Sequence, residues 1–157
     1  MFIRKGTIND IPKIRDFLLD SWINHSNNES QFINPKTFEN TNLKNYLKNC
    51  FNHSYKSYLF IAEDKEEIIG LIKLNVEMIE SFYYQNRILY IDDIYVSKNY
   101  RKQGVAKKLI ESAEKIAKKR SLKWLKAKIY QFNEAAQNTF TSSGFKPLYS
   151  EYFKILK

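Results

Sequence analysis

Hydrophobic positions along the 157-residue chain follow two rhythms. Alternation with polar residues marks strands, and recurrence every three to four residues marks helices. Phe2–Lys5 reads as a short strand. Asp10 can cap a helix with Pro12 in its first turn, and Ile11, Ile14, Leu18 and Trp22 then recur at helical spacing. The polar stretch Ser26–Asn34 predicts a loop, and a second helix follows Pro35 with Leu43, Leu47 and Cys50 on one face. Ser57–Glu63 and Ile68–Val76 read as two strands joined at the charged turn Asp64–Glu67, as in a hairpin. After the connection Ile79–Arg87, Ile88–Val96 is a strong strand interrupted by the adjacent acids Asp92 and Asp93. Polar Ser97–Gln103 leads into a helix of about four turns carrying Val105, Leu109, Ala113, Ile116 and Ala117. Leu122–Tyr130 alternates as a strand, Asn133–Thr141 is a short helix closed by Gly144, and Pro147–Leu156 is a final strand. The order is strand, two helices, three strands, helix, strand, helix, strand. It predicts one mixed α/β domain over residues 1–157, with a right-handed crossover at 88–130.

Composition narrows the class. Hydrophobic residues make up 43% and aromatics 15%, which suits a globular chain and argues against disorder. The single cysteine, Cys50, allows no internal disulfide and fits a reducing compartment. No apolar run approaches the roughly 18 residues of a membrane span. No signal peptide precedes the first strand, so the expectation is a cytoplasmic protein with no membrane partner. The net charge of +9 is unevenly distributed: residues 101–128 hold eleven Lys/Arg against two acids, and the rest of the chain is balanced. That segment is either an ordinary solvated helix face or a field that attracts a polyanion.

Candidate chemistry sits where strand gives way to helix, at Val96-Ser-Lys-Asn-Tyr-Arg-Lys-Gln-Gly-Val-Ala106. The first amides of a helix have no partner inside it, and the helix dipole adds partial positive charge, so the turn suits a pyrophosphate. Gly104 and Ala106 allow close approach, while Arg101 and Lys102 add full charges. Neither a G-x-x-x-x-G-K-[ST] nor a G-x-G-x-x-G pattern is present.

Arg101-x-x-Gly104-x-Ala106, set after a hydrophobic strand, resembles the R/Q-x-x-G-x-G/A signature of the GNAT acyltransferase superfamily. The resemblance extends through Asn133-x-x-Ala136-x-x-x-Phe140 to Gly144-Phe145, and more loosely to Thr7-x-x-Asp10-x-x-x-Ile14. It implies a twisted, mixed, mostly antiparallel sheet of six to seven strands with about four helices on both faces. It implies acetyl-CoA as co-substrate, its pyrophosphate on the backbone of Gln103, Gly104, Val105 and Ala106, with Arg101 and Lys102 beside it. Ile94, Tyr95 and Val96 would pair with the pantetheine amides as an added strand would. Asn133 would bond the pantetheine arm, Ala136 would leave it room, and Phe140 would lie near the thioester sulfur. Asn133 can also act as a plain helix cap, and the two roles are compatible.

Acetyl transfer needs an amine that has lost its proton, a stabilised carbonyl oxygen and a tolerated thiolate. Asp92 and Asp93 are the base candidates, on opposite faces of an extended strand unless a bulge intervenes. The alternative is an Asp that pairs with a Lys or caps a turn. Some family members, including diamine acetyltransferases, carry an acid at the position of Asp92. Many carry a general-acid Tyr at the position of Phe140, so Tyr130 at the end of its strand is the replacement candidate. Cys50 is not proposed as a nucleophile. His25 and His53 show no metal-ligand spacing, so no metal is expected. The Ser81–Arg87 connection is either an acceptor-pocket wall or an ordinary packed loop. The function expected is transfer of acetyl from acetyl-CoA to a small cationic amine, by a monomer or homodimer. The alternatives are an acyl-CoA-binding regulatory module and a protein N-acetyltransferase. A nucleic-acid partner is not expected, because no recognised module or aromatic platform accompanies the basic run.

Overall fold

The computed structural model describes residues 1–29, 33–34, 36–52 and 55–155. Its elements are β1 (Phe2–Lys5), α1 (Ile11–Asn28), α2 (Lys36–Glu39), α3 (Leu43–Phe51), β2 (Ser57–Asp64), β3 (Glu67–Met78), β4 (Arg87–Val96), α4 (Val105–Lys119), β5 (Leu125–Ala127) and α5 (Glu134–Ser142). One sheet of five strands lies in the order β1-β2-β3-β4-β5. The first four strands are mutually antiparallel, and β5 lies parallel to β4, as a connection through α4 requires.

Alternation along the strands supplies apolar side chains to both faces. On one face Ala62, Ile69, Ile72, Leu74, Leu89 and Ile91 pack with Val105, Leu109, Ile110 and Ala113 of α4 and with Phe140 of α5. On the other, Leu59, Ile61, Ile68, Leu71 and Tyr95 pack with Ile14, Leu18 and Trp22 of α1 and with Leu43 and Leu47 of α3. Lys65 and Glu66 both take positive φ, 47° and 67°. That is the two-residue hairpin geometry whose twist matches the flanking strands.

Several expectations change on contact with the structure. The loop expected at Ser26–Asn34 does not begin at Ser26: α1 continues to Asn28, because Ser26 extends the buried row of Ile14, Leu18 and Trp22 and is small enough to fit there, while residues 30–32 lie outside the described residues. Asp10 does not cap α1 with its side chain. Its carboxylate turns back to accept from Thr7 N at 2.7 Å and from the Arg4 guanidinium at 2.8 and 2.9 Å. The helix expected after Pro35 is two helices, α2 and α3, with Asn42 capping the second by accepting from Asn45 N; Pro35 itself lies outside the described residues. The strand expected at Leu122–Tyr130 shortens to Leu125–Ala127. The final strand is not formed among the described residues of 147–155, so the sheet has five strands where six to seven were expected. Alternation makes a strand only where an edge accepts its hydrogen bonds. Here Tyr149 meets β5 through the side chain of Lys126, and Glu151 pairs with Lys128 just beyond the strand.

Candidate functional site

The centre of the site is a bulge in β4. Lys73 pairs with Asp93 and the next β3 residue, Leu74, pairs with Ile91, leaving Asp92 as the extra residue. A bulge breaks alternation and re-aims side chains. Here it brings two neighbouring carboxylates to one hydroxyl: Tyr46 of α3 lies 2.6 Å from Asp93 Oδ2 and 3.3 Å from Asp92 Oδ2. Trp22 Nε1 lies 3.4 Å from Asp93 Oδ1, and Asn75 Nδ2 donates to Asp92 Oδ2 at 3.1 Å. Lys73, only 6% exposed, forms an ion pair with Asp92 and lies 3.9 Å from the centre of the Tyr46 ring.

These contacts lie on the face covered by α1 and α3, where the sheet changes character. Beyond Leu71 and Tyr95 that face continues as Lys73, Asn75 and Glu77 from β3 and as Asp93, Asp92 and Tyr90 from β4. Burial raises the Asp93 carboxyl above the ordinary range, opposed by the Tyr46 hydrogen bond. Burial and the nearby Asp92 likewise raise Glu77, and they push the Tyr90 hydroxyl up to about 12. Acids and aromatics thus share this end of the sheet face, away from the basic segment at 101–128.

Tyr130 reaches the same side. Its ring lies 5.1 Å from that of His25 on α1, one turn beyond Trp22, and 5.7 Å from Phe132. Burial lowers His25, against the pull of Asp93. His53 lies outside the described residues. Cys50 is half-buried, and burial pushes its thiol up to about 11, which makes it a poor nucleophile at neutral pH.

The second part of the site is the strand edge beyond the bulge. β5 pairs with β4 only at Leu89, Tyr90 and Ile91. From Asp92 to Val96 that edge has no strand partner among the described residues. Ile94 and Val96 set their side chains against the α4 layer, and Tyr95 stacks on Phe17 in the other layer. Arg101 Nε donates to Val96 O at 3.1 Å, with its guanidinium 5.9 Å from the Tyr95 ring.

The third part is the turn. Lys102 and Gly104 both take left-handed conformations, φ 60° and 78°. Gly104 opens α4 as its N-cap without a side chain to offer, and a Cβ built on it would meet nothing within 4 Å. Arg101, Lys102, Gln103 and Gly104 are exposed, Ala106 is half-buried, and Val105 is tucked into the core. Gln103 folds its amide back onto Asn99 O at 2.9 Å. Exposed main-chain nitrogens, open space and cations are what a diphosphate requires. Asn133 caps α5 by accepting from Ala136 N at 3.1 Å, and Ala136 is half-buried. Phe140 is 3% exposed and packs edge-on against Phe145 at 4.9 Å.

Residues 14–145 match the acetyltransferase (GNAT) family. The chain belongs to that family. Among curated proteins, this GNAT chain is 28% identical over 100 residues to the N-acetyltransferase in the pepI 3′ region of Lactobacillus delbrueckii subsp. lactis, covering 64% of this chain and 57% of that protein. It is 27% identical over 110 residues to N-alpha-acetyltransferase 30 of Schizosaccharomyces pombe, covering 68% and 71%. Among solved structures it superposes with TM-score 0.83 on a mutant of the BH1408 protein from Bacillus halodurans, at 18% identity and full coverage of both chains. It also superposes with TM-score 0.76 on AAC(6′)-Iy in complex with a bisubstrate analogue, at 15% identity over 99% of this chain and 97% of that one. These superpositions establish a shared fold.

The candidate site of this GNAT domain also includes Tyr46, Lys73, Asn75 and Glu77, which the sequence pattern assigns only to a helix and a strand. Lys73 did carry a signal, since a charge within Ile-Ile-Gly-Leu-Ile-Lys-Leu is costly unless something pairs with it.

Proposed function

We propose that the protein transfers an acetyl group from acetyl-CoA to the primary amine of a small cationic acceptor, with both substrates bound together. One observation carries the reading. β4 parts from β5 at the bulge, and the open edge runs from the paired carboxylates at Asp92 and Asp93 to the phosphate-compatible turn at Gly104.

The residues fit such a donor. The backbone of Gln103, Gly104, Val105 and Ala106, with Arg101 and Lys102, would hold the diphosphate; the edge at Ile94, Tyr95 and Val96 would pair with the pantetheine amides; Asn133 and Ala136 would flank the arm. Val96 O is already a used acceptor, taken by Arg101. Bound there, acetyl-CoA supplies an activated acyl carbon and a thiol leaving group whose pKa is roughly 8.5.

The acid cluster serves the other substrate. An alkylammonium, of pKa roughly 10, must lose a proton before it can attack. Asp92, the more exposed carboxylate, receives the ammonium, and Asp93, whose proton affinity burial has raised, takes the proton. Desolvating the amine at the cluster narrows the remaining gap. The amine nitrogen then bonds to the acyl carbon as the carbon–sulfur bond breaks. The nitrogen's second proton reaches the sulfur, and Asp93 returns its own to water. Tyr130, beside His25, is the candidate donor to sulfur, because Phe140 has no hydroxyl and faces the core.

Phe140 also favours a second reading, an acyl-CoA-binding regulatory module with little turnover. The likeness to N-alpha-acetyltransferase 30 supports a third, in which the amine is a protein N-terminus. Acetyl-CoA consumption across small amines and N-terminal peptides, with mass detection of product, separates the three. The leading reading expects acetylated small cationic amines; heat from coenzyme A binding without product from any amine would leave the regulatory module.

A further inference from the structure

Lys73 is buried at the centre of the acid cluster, yet it belongs to neither the phosphate-compatible turn nor the proton path. It lies opposite Asp93 in the β3–β4 register, pairs with Asp92 and sits against the Tyr46 ring. A lysine needed only to hold the sheet together would be replaceable at that point by an apolar side chain of like volume. This one instead supplies the positive charge beside two adjacent carboxylates that share one hydroxyl.

We propose that Lys73 is a positioning residue for acetyl transfer: its ammonium anchors Asp92 at the bulge and offsets the Asp92 charge, so that Asp93 remains able to take and release the amine's proton. This rests on the acetyltransferase reading above. β3 contributes Lys73, Asn75 and Glu77; β4 contributes Tyr90, Asp92 and Asp93; α3 contributes Tyr46 and Cys50; α1 contributes Trp22 and His25; Lys126 of β5 approaches Glu77. Lys73 is the cation among them that touches the carboxylate pair. Burial and the Asp92 charge push the Asp93 carboxyl up, while Lys73 and the Tyr46 hydrogen bond hold it down. Removing Lys73 removes one restraint and leaves the Asp92 charge uncompensated.

The test compares the full-length wild type with Lys73→Met, Lys73→Arg and the double variant Lys73→Met/Asp92→Asn. Carboxyl-carbon NMR follows the titration of Asp93, steady-state kinetics follow the pH profile with the best amine from the screen, and calorimetry follows coenzyme A binding. In Lys73→Met we expect the Asp93 titration and the acid limb of kcat/KM to move up together by about one pH unit or more. We expect kcat to fall about tenfold or more while coenzyme A affinity holds. Lys73→Arg, which keeps the charge, should recover most of the position of the limb. An Asp93 titration and acid limb both unmoved in Lys73→Met overturn the proposal.

If Lys73→Met does not fold, the double variant is read against Asp92→Asn alone, since both lack the Asp92 charge and differ only at residue 73. An Asp93 titration that lies higher in the double variant than in Asp92→Asn is the outcome expected here; equal titrations would make Lys73 a structural residue only. A wild type that binds coenzyme A but acetylates nothing sinks the enzymatic reading. The NMR titration then still reports whether Lys73 controls Asp93.

Discussion

Gly104→Asp is the sharpest perturbation of the proposed coenzyme A site. At φ 78° an L-residue strains the backbone, by about 1–2 kcal/mol. No steric term adds to this, since the space where the Cβ would go is empty to 4 Å. For a domain of this size the strain lowers Tm by roughly 2–8 °C, and the new carboxylate at a helix start offsets part of it. The fold therefore survives. Binding suffers differently. A carboxylate about 5 Å from each of two phosphate charges repels each by roughly 0.8 kcal/mol in bulk water and roughly 3 kcal/mol at an effective dielectric of about 20. The sum, roughly 1.5–6 kcal/mol, weakens affinity at least about tenfold. Gly144→Ala is the matched control: Gly144 takes φ 86° with equal open space, but beyond the far end of α5. Calorimetry with coenzyme A and a thermal melt on both variants suffices. Both should melt earlier, and only the residue-104 variant should lose the ligand. A folded Gly104→Asp that binds coenzyme A as tightly as wild type would refute the phosphate turn.

Other perturbations address the acid cluster and the frame around it. Asp92→Asn should lower kcat by about tenfold or more with little change in coenzyme A affinity; full activity would remove Asp92 from the acceptor site. Tyr46→Phe takes a hydrogen bond from Asp93, so the acid limb of the rate profile should rise, and a fixed limb would show that the hydroxyl is irrelevant to proton uptake. Phe140→Tyr should keep or raise the rate; a severe loss would show that the site needs the apolar ring against Phe145. Asp10 is held down to about 2 by the Arg4 guanidinium. A depressed folded-state value gives stability that is present above the ordinary aspartate range and lost as pH falls from about 4 towards 2. The wild type should lose about 1–2 kcal/mol across that window through this group. Asp10→Asn should flatten the loss, and an unchanged acid limb of stability would contradict the pairing.

Local pattern was sufficient where one segment decides its own structure. The hairpin at Asp64–Glu67, the helix beginning after Gly104 and the capped helix after Asn133 need only neighbours in sequence. The alternation at Pro147–Leu156 was misleading because a strand also needs an edge, and edges are supplied from elsewhere in the chain. The acid cluster was legible only in outline. Two adjacent aspartates within an apolar strand signalled a break in alternation, but which face they share depends on the register with β3. Tyr46 and Lys73 lie 46 and 19 residues from Asp92, and no periodicity joins them.

On the proposed reading, the bulge lets one strand serve two substrates of opposite charge. A regular β4 would turn Asp92 and Asp93 to opposite faces, putting one of them among Ile72, Leu89 and Leu109 in the α4 layer. An unpaired carboxylate there would be strongly destabilising. With the extra residue, both meet the side roofed by α1 and α3, where Lys73, Tyr46 and Trp22 satisfy them. The same irregularity falls next to Ile91, the last residue that β5 pairs. Local twist increases at a bulge, which accounts for β5 leaving β4 at that point. Acid cluster and open edge therefore share one cause. Restoring regular alternation by deleting Asp92 should close the edge and remove coenzyme A binding together with turnover. A deletion variant that folds and still binds the cofactor would separate the two and show that the parting of the strands has another origin.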